Sequence, residues 1–209
     1  MQKAMIFIDF ENFNIAKAKY YKRLQKEGKV SRADFPSVDF VELSKAIVNL
    51  LPNPHTLVKT FLFAPRPDDF LMQDANREKT YNFLNGLKNL DYLTIIEGTH
   101  VSRKVGNLEK DINDQTTYFV QEKGTDVNMA VHLLTKGFLN AYDTAIILSA
   151  DTDYIPIMDM LNTFGKTICV VGVQGQTLKA FKHHSDQQII LNDKIFQKCK
   201  SKRTSKPKK

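Results

Sequence analysis

A three-layer α/β domain with a mainly parallel central sheet is the fold class the sequence predicts, and two observations carry that reading. Apolar runs of strand length alternate with helical periodicities in the order β, α, α, β, α, β, a loosened stretch, α, β, α, β. The runs also lack the polar alternation of a half-exposed strand. Ala145, Ile146, Ile147 and Leu148 carry no polar residue among them, as in a strand covered by helices on both faces.

Residues 5–8 form the first strand, and Asp9 follows directly. Residues 10–14 make a turn, after which a helix runs from about Ile15 to Lys26 and stops before Gly28. Asp39 caps a helix over residues 40–51, ended by Pro52 and Pro54. Residues 56–64 are the second strand, Asp68 opens a long helix through Leu87, and residues 92–97 are the third strand. The pattern then loosens over residues 98–123 into an excursion, read as a β-ribbon near the strand ends that carries His100, Arg103 and Lys104. After Gly124 a helix places Val127, Ala130, Val131, Leu134 and Phe138 on the face that packs on the sheet, with Asp126 in its first turn and His132 off the stripe. The strand at 145–148 passes through Ser149, Ala150, Asp151, Thr152 and Asp153 into a helix marked by Tyr154, Ile157, Met158 and Leu161, with Gly165 as its C-cap. Residues 167–171 are a fifth strand, residues 176–184 a helix, and residues 189–191 a short sixth strand.

With 209 residues, 42% hydrophobic and 25% charged, the chain is one soluble globular domain with an appendage. The apolar run before Asp9 is too short for a signal peptide, and no run reaches membrane-spanning length, so the expected location is the cytoplasm. Cys169 and Cys199 suggest neither a disulfide framework nor a zinc site. The net charge of +7 is concentrated at one end: residues 194–209 hold eight bases and no acid, and without them 22 bases face 23 acids, a body of net −1. The expected division is therefore a domain over residues 1–192 and a basic, disordered tail over residues 193–209. Lys198, Lys200, Lys202 and Arg203 of that tail, with Arg103 and Lys104 of the excursion, are the candidate phosphate contacts for nucleic acid.

Acids at strand ends carry the chemistry. In an open α/β sheet the loops at the carboxyl ends of the strands line the ligand crevice, which is where Asp9, Asp151 and Asp153 fall. Helix capping accounts for one such acid, but Asp151 and Asp153 flank a single Thr152. With Asp126 at a helix start, four carboxylates share one rim, and carboxylates held close repel unless a hard divalent cation joins them. Oxygen-only ligands select Mg²⁺ or Mn²⁺, and such a cation activates water and stabilises the charge of a phosphoryl transition state.

Three ordered motifs carry a resemblance: FIDFENF at 7–13, EKGTDVNMAVHLL at 122–134 and ILSADTDYIPIMDMLNTFGKTICVVG at 147–172. Together they resemble the NYN domain family, the LabA-like branch of the PIN-like nucleases, over most of residues 3–192. The resemblance implies a Rossmann-like fold and, in active members, Mg²⁺- or Mn²⁺-dependent cleavage of RNA. It places the family's acids at Asp9, Asp126, Asp151 and Asp153 and its following polar residue at Asn12. Asp9 and Asp151 would then ligate or bridge metal, Asp126 and Asp153 would complete the cluster or orient the water, and Asn12 would position Asp9 or a phosphate. Phe10 and Ala150 stand where the family carries glycine, and His132 where relatives often carry another acid, which removes a ligand from any second metal.

The function expected is a metal-dependent endoribonuclease. A non-catalytic RNA-binding or regulatory module of the same fold is the alternative from another class. Asp9-Phe10-Glu11 also resembles the nucleophile loop of haloacid dehalogenase-like phosphohydrolases, but that family has Asp where this chain has Glu11 and needs a later lysine motif that is not found. Oligomeric state is left open, a homodimer being compatible with the sequence.

Overall fold

In the computed structural model, which describes residues 1–201, the chain is built about the strand β1 (Gln2–Asp9). Successive side chains of a strand point to opposite faces, so Ala4, Ile6 and Ile8 enter one core while Met5 and Phe7 enter another. α1 (Phe10–Lys26), α2 (Phe40–Val48), α3 (Ala75–Leu87) and α6 (Asp193–Lys198) bring Phe13, Leu43, Ile47, Leu84 and Phe196 to the first core. α4 (Thr125–Phe138) and α5 (Ile155–Thr163) bring Met129, Leu133, Met158 and Leu161 to the second.

On one side of β1 lie β2 (His55–Pro67) and β3 (Leu93–Lys104), and on the other β5 (Thr144–Leu148), β6 (Thr167–Val173) and β7 (Gln187–Leu191), all pairing in parallel. β4 (Tyr118–Lys123) runs antiparallel to β3 and makes the seven-stranded sheet a mixed one, ordered β4-β3-β2-β1-β5-β6-β7. The chain thus builds outward from β1 in one direction, then returns to its other side at β5. That reversal opens a crevice at the carboxyl ends of β1 and β5.

Several elements differ from expectation for identifiable reasons. α1 begins at Phe10 rather than about Ile15, because the Asp9 carboxylate caps it by accepting from the Asn12 N–H. Asp68 opens no long helix. Its carboxylate accepts from the Leu71 N–H and from the N–H and hydroxyl of Ser102, and α3 starts later under its own cap, Asp74. The helix expected over 176–184 is a single 3₁₀ turn at Lys179–Phe181. The excursion is a ribbon, as expected, formed by β3 running on to Lys104 and β4 returning beside it.

Two corrections concern burial. The face of α4 against the sheet is Thr125, Met129, Leu133 and Gly137, while Val127, Val131 and Phe138 are exposed. Gly137 permits close packing on α5 and on the segment before β5, since a Cβ there would lie 2.6 Å from Leu161 Cδ2 and 2.9 Å from the Tyr142 hydroxyl. Nor does packing stop at Asn192. Phe196 is fully buried against Phe13, Tyr20 and Tyr21, Cys199 is buried, and the Ser201 N–H donates to the Ser37 carbonyl. Among the described residues no helix is long and apolar enough to cross a membrane.

Candidate active site

Asp9 ends β1 almost wholly buried. One carboxylate oxygen accepts from the Asn12 N–H at 3.0 Å and the other from the Ser149 hydroxyl at 3.1 Å. Burial pushes its pKa up to about 6 against the opposing pull of those two bonds, and the negative charges of Asp126 and Asp151 add to the rise. Asn12 does not touch the Asp9 side chain with its own amide. Its Oδ1 accepts from the Ala150 N–H at 3.2 Å and from Gln176 Nε2 at 3.1 Å, while Gln176 Oε1 accepts from the Val173 N–H. The amide therefore ties the first turn of α1 to the loops after β5 and β6.

The loop after β5 is held in the same way. Ser149 Oγ accepts from the Asp151 N–H, and Asp151 Oδ1 accepts from the Asp153 N–H to cap the 3₁₀ turn Thr152–Tyr154. Tyr154, the last residue of that turn, is buried and donates its hydroxyl to Asp126 Oδ1 at 2.9 Å. Burial, then the charges of Asp9, Asp126 and Asp151, hold this phenol protonated well above the ordinary tyrosine range. Asp9, Asp126 and Asp151 thus share one electrostatic neighbourhood, with the phenol of Tyr154 among them. The Asp153 side chain is exposed.

A tighter grouping lies beside these acids. Among the described residues, the set of three potential ligands whose donor atoms all fall within 4.8 Å of one another is Glu11, His100 and Glu122; no three of the four aspartates close to that spacing. Glu11 lies in the first turn of α1, and His100 and Glu122 face each other across the β3–β4 pairing. His100, which the sequence places on the excursion, is buried with Nε2 at 3.4 Å from Glu11 Oε1. Burial alone would raise Glu11, but His100 beside it holds its pKa below the ordinary value; burial and the Glu11 charge push Glu122 up. Nothing in the sequence spacing announced this group, because Glu11 comes from α1 while His100 and Glu122 meet through strand register.

His132 is half-buried against Phe61 and Phe63, at ring-centroid distances of 5.5 and 5.6 Å, rather than off the packed face. Arg103 and Lys104 are exposed on β3, the first about 10 Å along the strand from His100 at ~3.3 Å per residue. Lys198 and Lys200 are exposed at and just beyond the end of α6, and Lys202 and Arg203 lie outside the described residues.

What these features define is an α/β domain with an acidic crevice at the switch point of its sheet. The NYN domain model matches residues 3–192, so the chain belongs to that family, within the PIN-like nuclease superfamily. The crystal structure of VPA0982, a protein of unknown function from Vibrio parahaemolyticus, is similar in fold, with a TM-score of 0.55 and 14% identity over 92% of this chain and 94% of that one. No curated protein matches.

Proposed function

We propose that this NYN domain is an endoribonuclease that hydrolyses single-stranded RNA in the cytoplasm with Mg²⁺ or Mn²⁺, and that residues 202–209 add a basic arm for the phosphate backbone. The observation that carries this reading is the convergence of Asp9, Asp126 and Asp151 on Tyr154 at the crevice between β1 and β5. Two carboxylates whose charges raise the proton affinity of a third form, with it, a donor set suited to a hard cation, and their all-oxygen chemistry fits Mg²⁺ or Mn²⁺. A cation held there supplies charge to activate water and to stabilise the phosphoryl transition state.

The chain's own part is orientation and proton handling. Asn12 and Ser149 fix both oxygens of Asp9, and the Tyr154 hydroxyl fixes one oxygen of Asp126, leaving the other free for a ligand. Asp9, whose pKa of about 6 applies without a cation, would give up its proton on binding one. The Asp153 carboxylate, which is exposed, would orient the attacking water or a phosphate-bound ion.

A circular RNA tests this reading, because it has no ends and admits only internal cutting. Wild type should linearise it in Mn²⁺ or Mg²⁺, leave it intact in EDTA, and generate 5′-phosphate ends, and Asp153→Asn should slow it by on the order of a hundredfold. An intact circle across several sequences in Mn²⁺ would favour the second reading, a non-catalytic RNA-binding module. The observation on that side is that no three of the four aspartates lie within 4.8 Å of one another.

A further inference from the structure

We propose that Glu11, His100 and Glu122 form a second cation site beside the aspartate crevice, selective for transition-metal ions such as Zn²⁺ or Mn²⁺ over Mg²⁺. It stands independently of whether the domain cuts RNA.

Backbone geometry sets the site before any ion arrives. His100 and Glu122 are direct partners in the antiparallel β3–β4 register, so their side chains project from the same face of the ribbon. The Asp68 N–H donates to the His100 carbonyl, and the Asp68 carboxylate takes both the N–H and the hydroxyl of Ser102, which pins this part of β3. Gly98 lets the ribbon press against the start of α4: a Cβ there would stand 2.1 Å from Thr125 Oγ1. Glu11 completes the set from the first turn of α1.

The side chains are arranged for a shared ion more than for one another. His100 is 8% exposed, and its Nε2 lies 3.4 Å from Glu11 Oε1 and 3.9 Å from Glu122 Oε2. Both contacts exceed the roughly 2.7–3.2 Å of an N–H···O hydrogen bond, so Nε2 of a buried histidine is aimed between two carboxylates without bonding either at full strength. Those separations suit a common ligand. Metal–ligand bonds of about 2.1 Å in tetrahedral geometry place the donor atoms about 3.4 Å apart. A divalent ion held here would neutralise both glutamates.

Selectivity follows from the donors. Imidazole favours Zn²⁺ and its neighbours Cu²⁺, Ni²⁺ and Fe²⁺, is accepted by Mn²⁺ beside oxygen ligands, and contributes little for Mg²⁺, which takes oxygen ligands. Three protein ligands leave a coordination position open. His100 also lines a pocket of about 180 Å³ with Arg77, Tyr81, Asn76 and Thr80, so a molecule held there sits beside the ion.

The test is calorimetric titration of the full chain, without a polyhistidine tag, with Zn²⁺ and with Mg²⁺, together with pulsed electron paramagnetic resonance of bound Mn²⁺. Wild type should bind one Zn²⁺ that His100→Gln and Glu122→Gln each weaken by on the order of tenfold or more, while Asp151→Asn retains it. Circular dichroism establishes that each variant is folded, and Glu122, being partly exposed, keeps the test open if His100→Gln does not fold. The Mn²⁺ signal should carry nitrogen coupling from an imidazole in wild type and in Asp151→Asn, and lose it in His100→Gln. Zn²⁺ binding unchanged in Glu122→Gln, or Mn²⁺ bound without nitrogen coupling to Asp151→Asn, in which the aspartate crevice is disabled, overturns the site. Neither readout needs RNA, so its failure is distinct from failure of the nuclease reading.

Discussion

Ser149 donates its hydroxyl to the Asp9 carboxylate at 3.1 Å, joining the ends of β1 and β5 through the buried acid itself. Asp9 has a folded pKa of about 6 against the ordinary 3.8, so the folded state holds its proton more tightly than the unfolded chain. Asp9's relative contribution is therefore most favourable below pH 3.8 and is lost as pH rises through about 6. The rise corresponds to about 3 kcal/mol at neutral pH, at ~1.36 kcal/mol per pH unit. Asn fits the same place: its carbonyl can accept from the Asn12 N–H and its amide can donate to Ser149. In EDTA at pH 7.5, Asp9→Asn should raise the melting temperature by several degrees, and the gain should vanish near pH 4. A lower melting temperature at pH 7.5 would refute the idea that burial of the charge is costly.

Tyr154 links the second core to Asp126, and its hydroxyl has that carboxylate as its partner. Tyr154→Phe keeps the ring packing and removes one hydrogen bond, which costs about 1 kcal/mol of stability. Divalent-ion affinity should fall more sharply, by roughly tenfold, because the bond orients a carboxylate of the crevice. Equal Mn²⁺ affinity in the two proteins, read by titration, would make Tyr154 a packing residue only.

The sequence made the acids legible because strand ends are legible: MIFI and AIIL stop abruptly, and Asp9 and Asp151 follow or nearly follow. It hid whatever depends on register. His100 and Glu122 are 22 positions apart and meet only because β3 and β4 pair with His100 opposite Glu122. The packed face of α4 was hidden for another reason: two of its four buried residues, Thr125 and Gly137, carry little apolar signal, while the exposed Val127, Val131 and Phe138 carry much. Gln176 escaped notice because its work is to bond Asn12, a partner 164 positions away. In the basic end of the chain, a run of lysines concealed the one aromatic that packs, Phe196.

Phe196 makes a sharp contrast between two truncations. Ending the chain after Asn192 removes Phe196 and Cys199 from the first core and should cost at least the ~3–5 kcal/mol of a buried Phe→Ala change. Ending it after Ser201 removes Lys202, Arg203, Lys206, Lys208 and Lys209 but none of the described packing. The shorter protein should melt well below wild type. The longer one should melt with it, yet bind single-stranded RNA more weakly and with a shallower salt dependence. RNA affinities that coincide at every salt concentration would remove the basic end from the interface.

The aspartates should act as a unit. Asp9, Asp126 and Asp151 raise the proton affinity of one buried phenol, and Asp126 and Asp151 raise that of Asp9, so each charge is felt by its neighbours. If all hold one ion, the first substitution disables the centre and a second finds little left to remove. Asp9→Asn and Asp151→Asn should each lower RNA cleavage by on the order of a hundredfold or more, and the double variant by about as much as either alone. Single-turnover rates on saturating RNA isolate this from binding. Multiplicative losses would mean that the acids contact RNA or water independently. Asp126→Asn adds a further arm, because it also changes the partner of Tyr154: pairing it with Tyr154→Phe should give no loss beyond Asp126→Asn itself if the phenol serves only to orient that carboxylate.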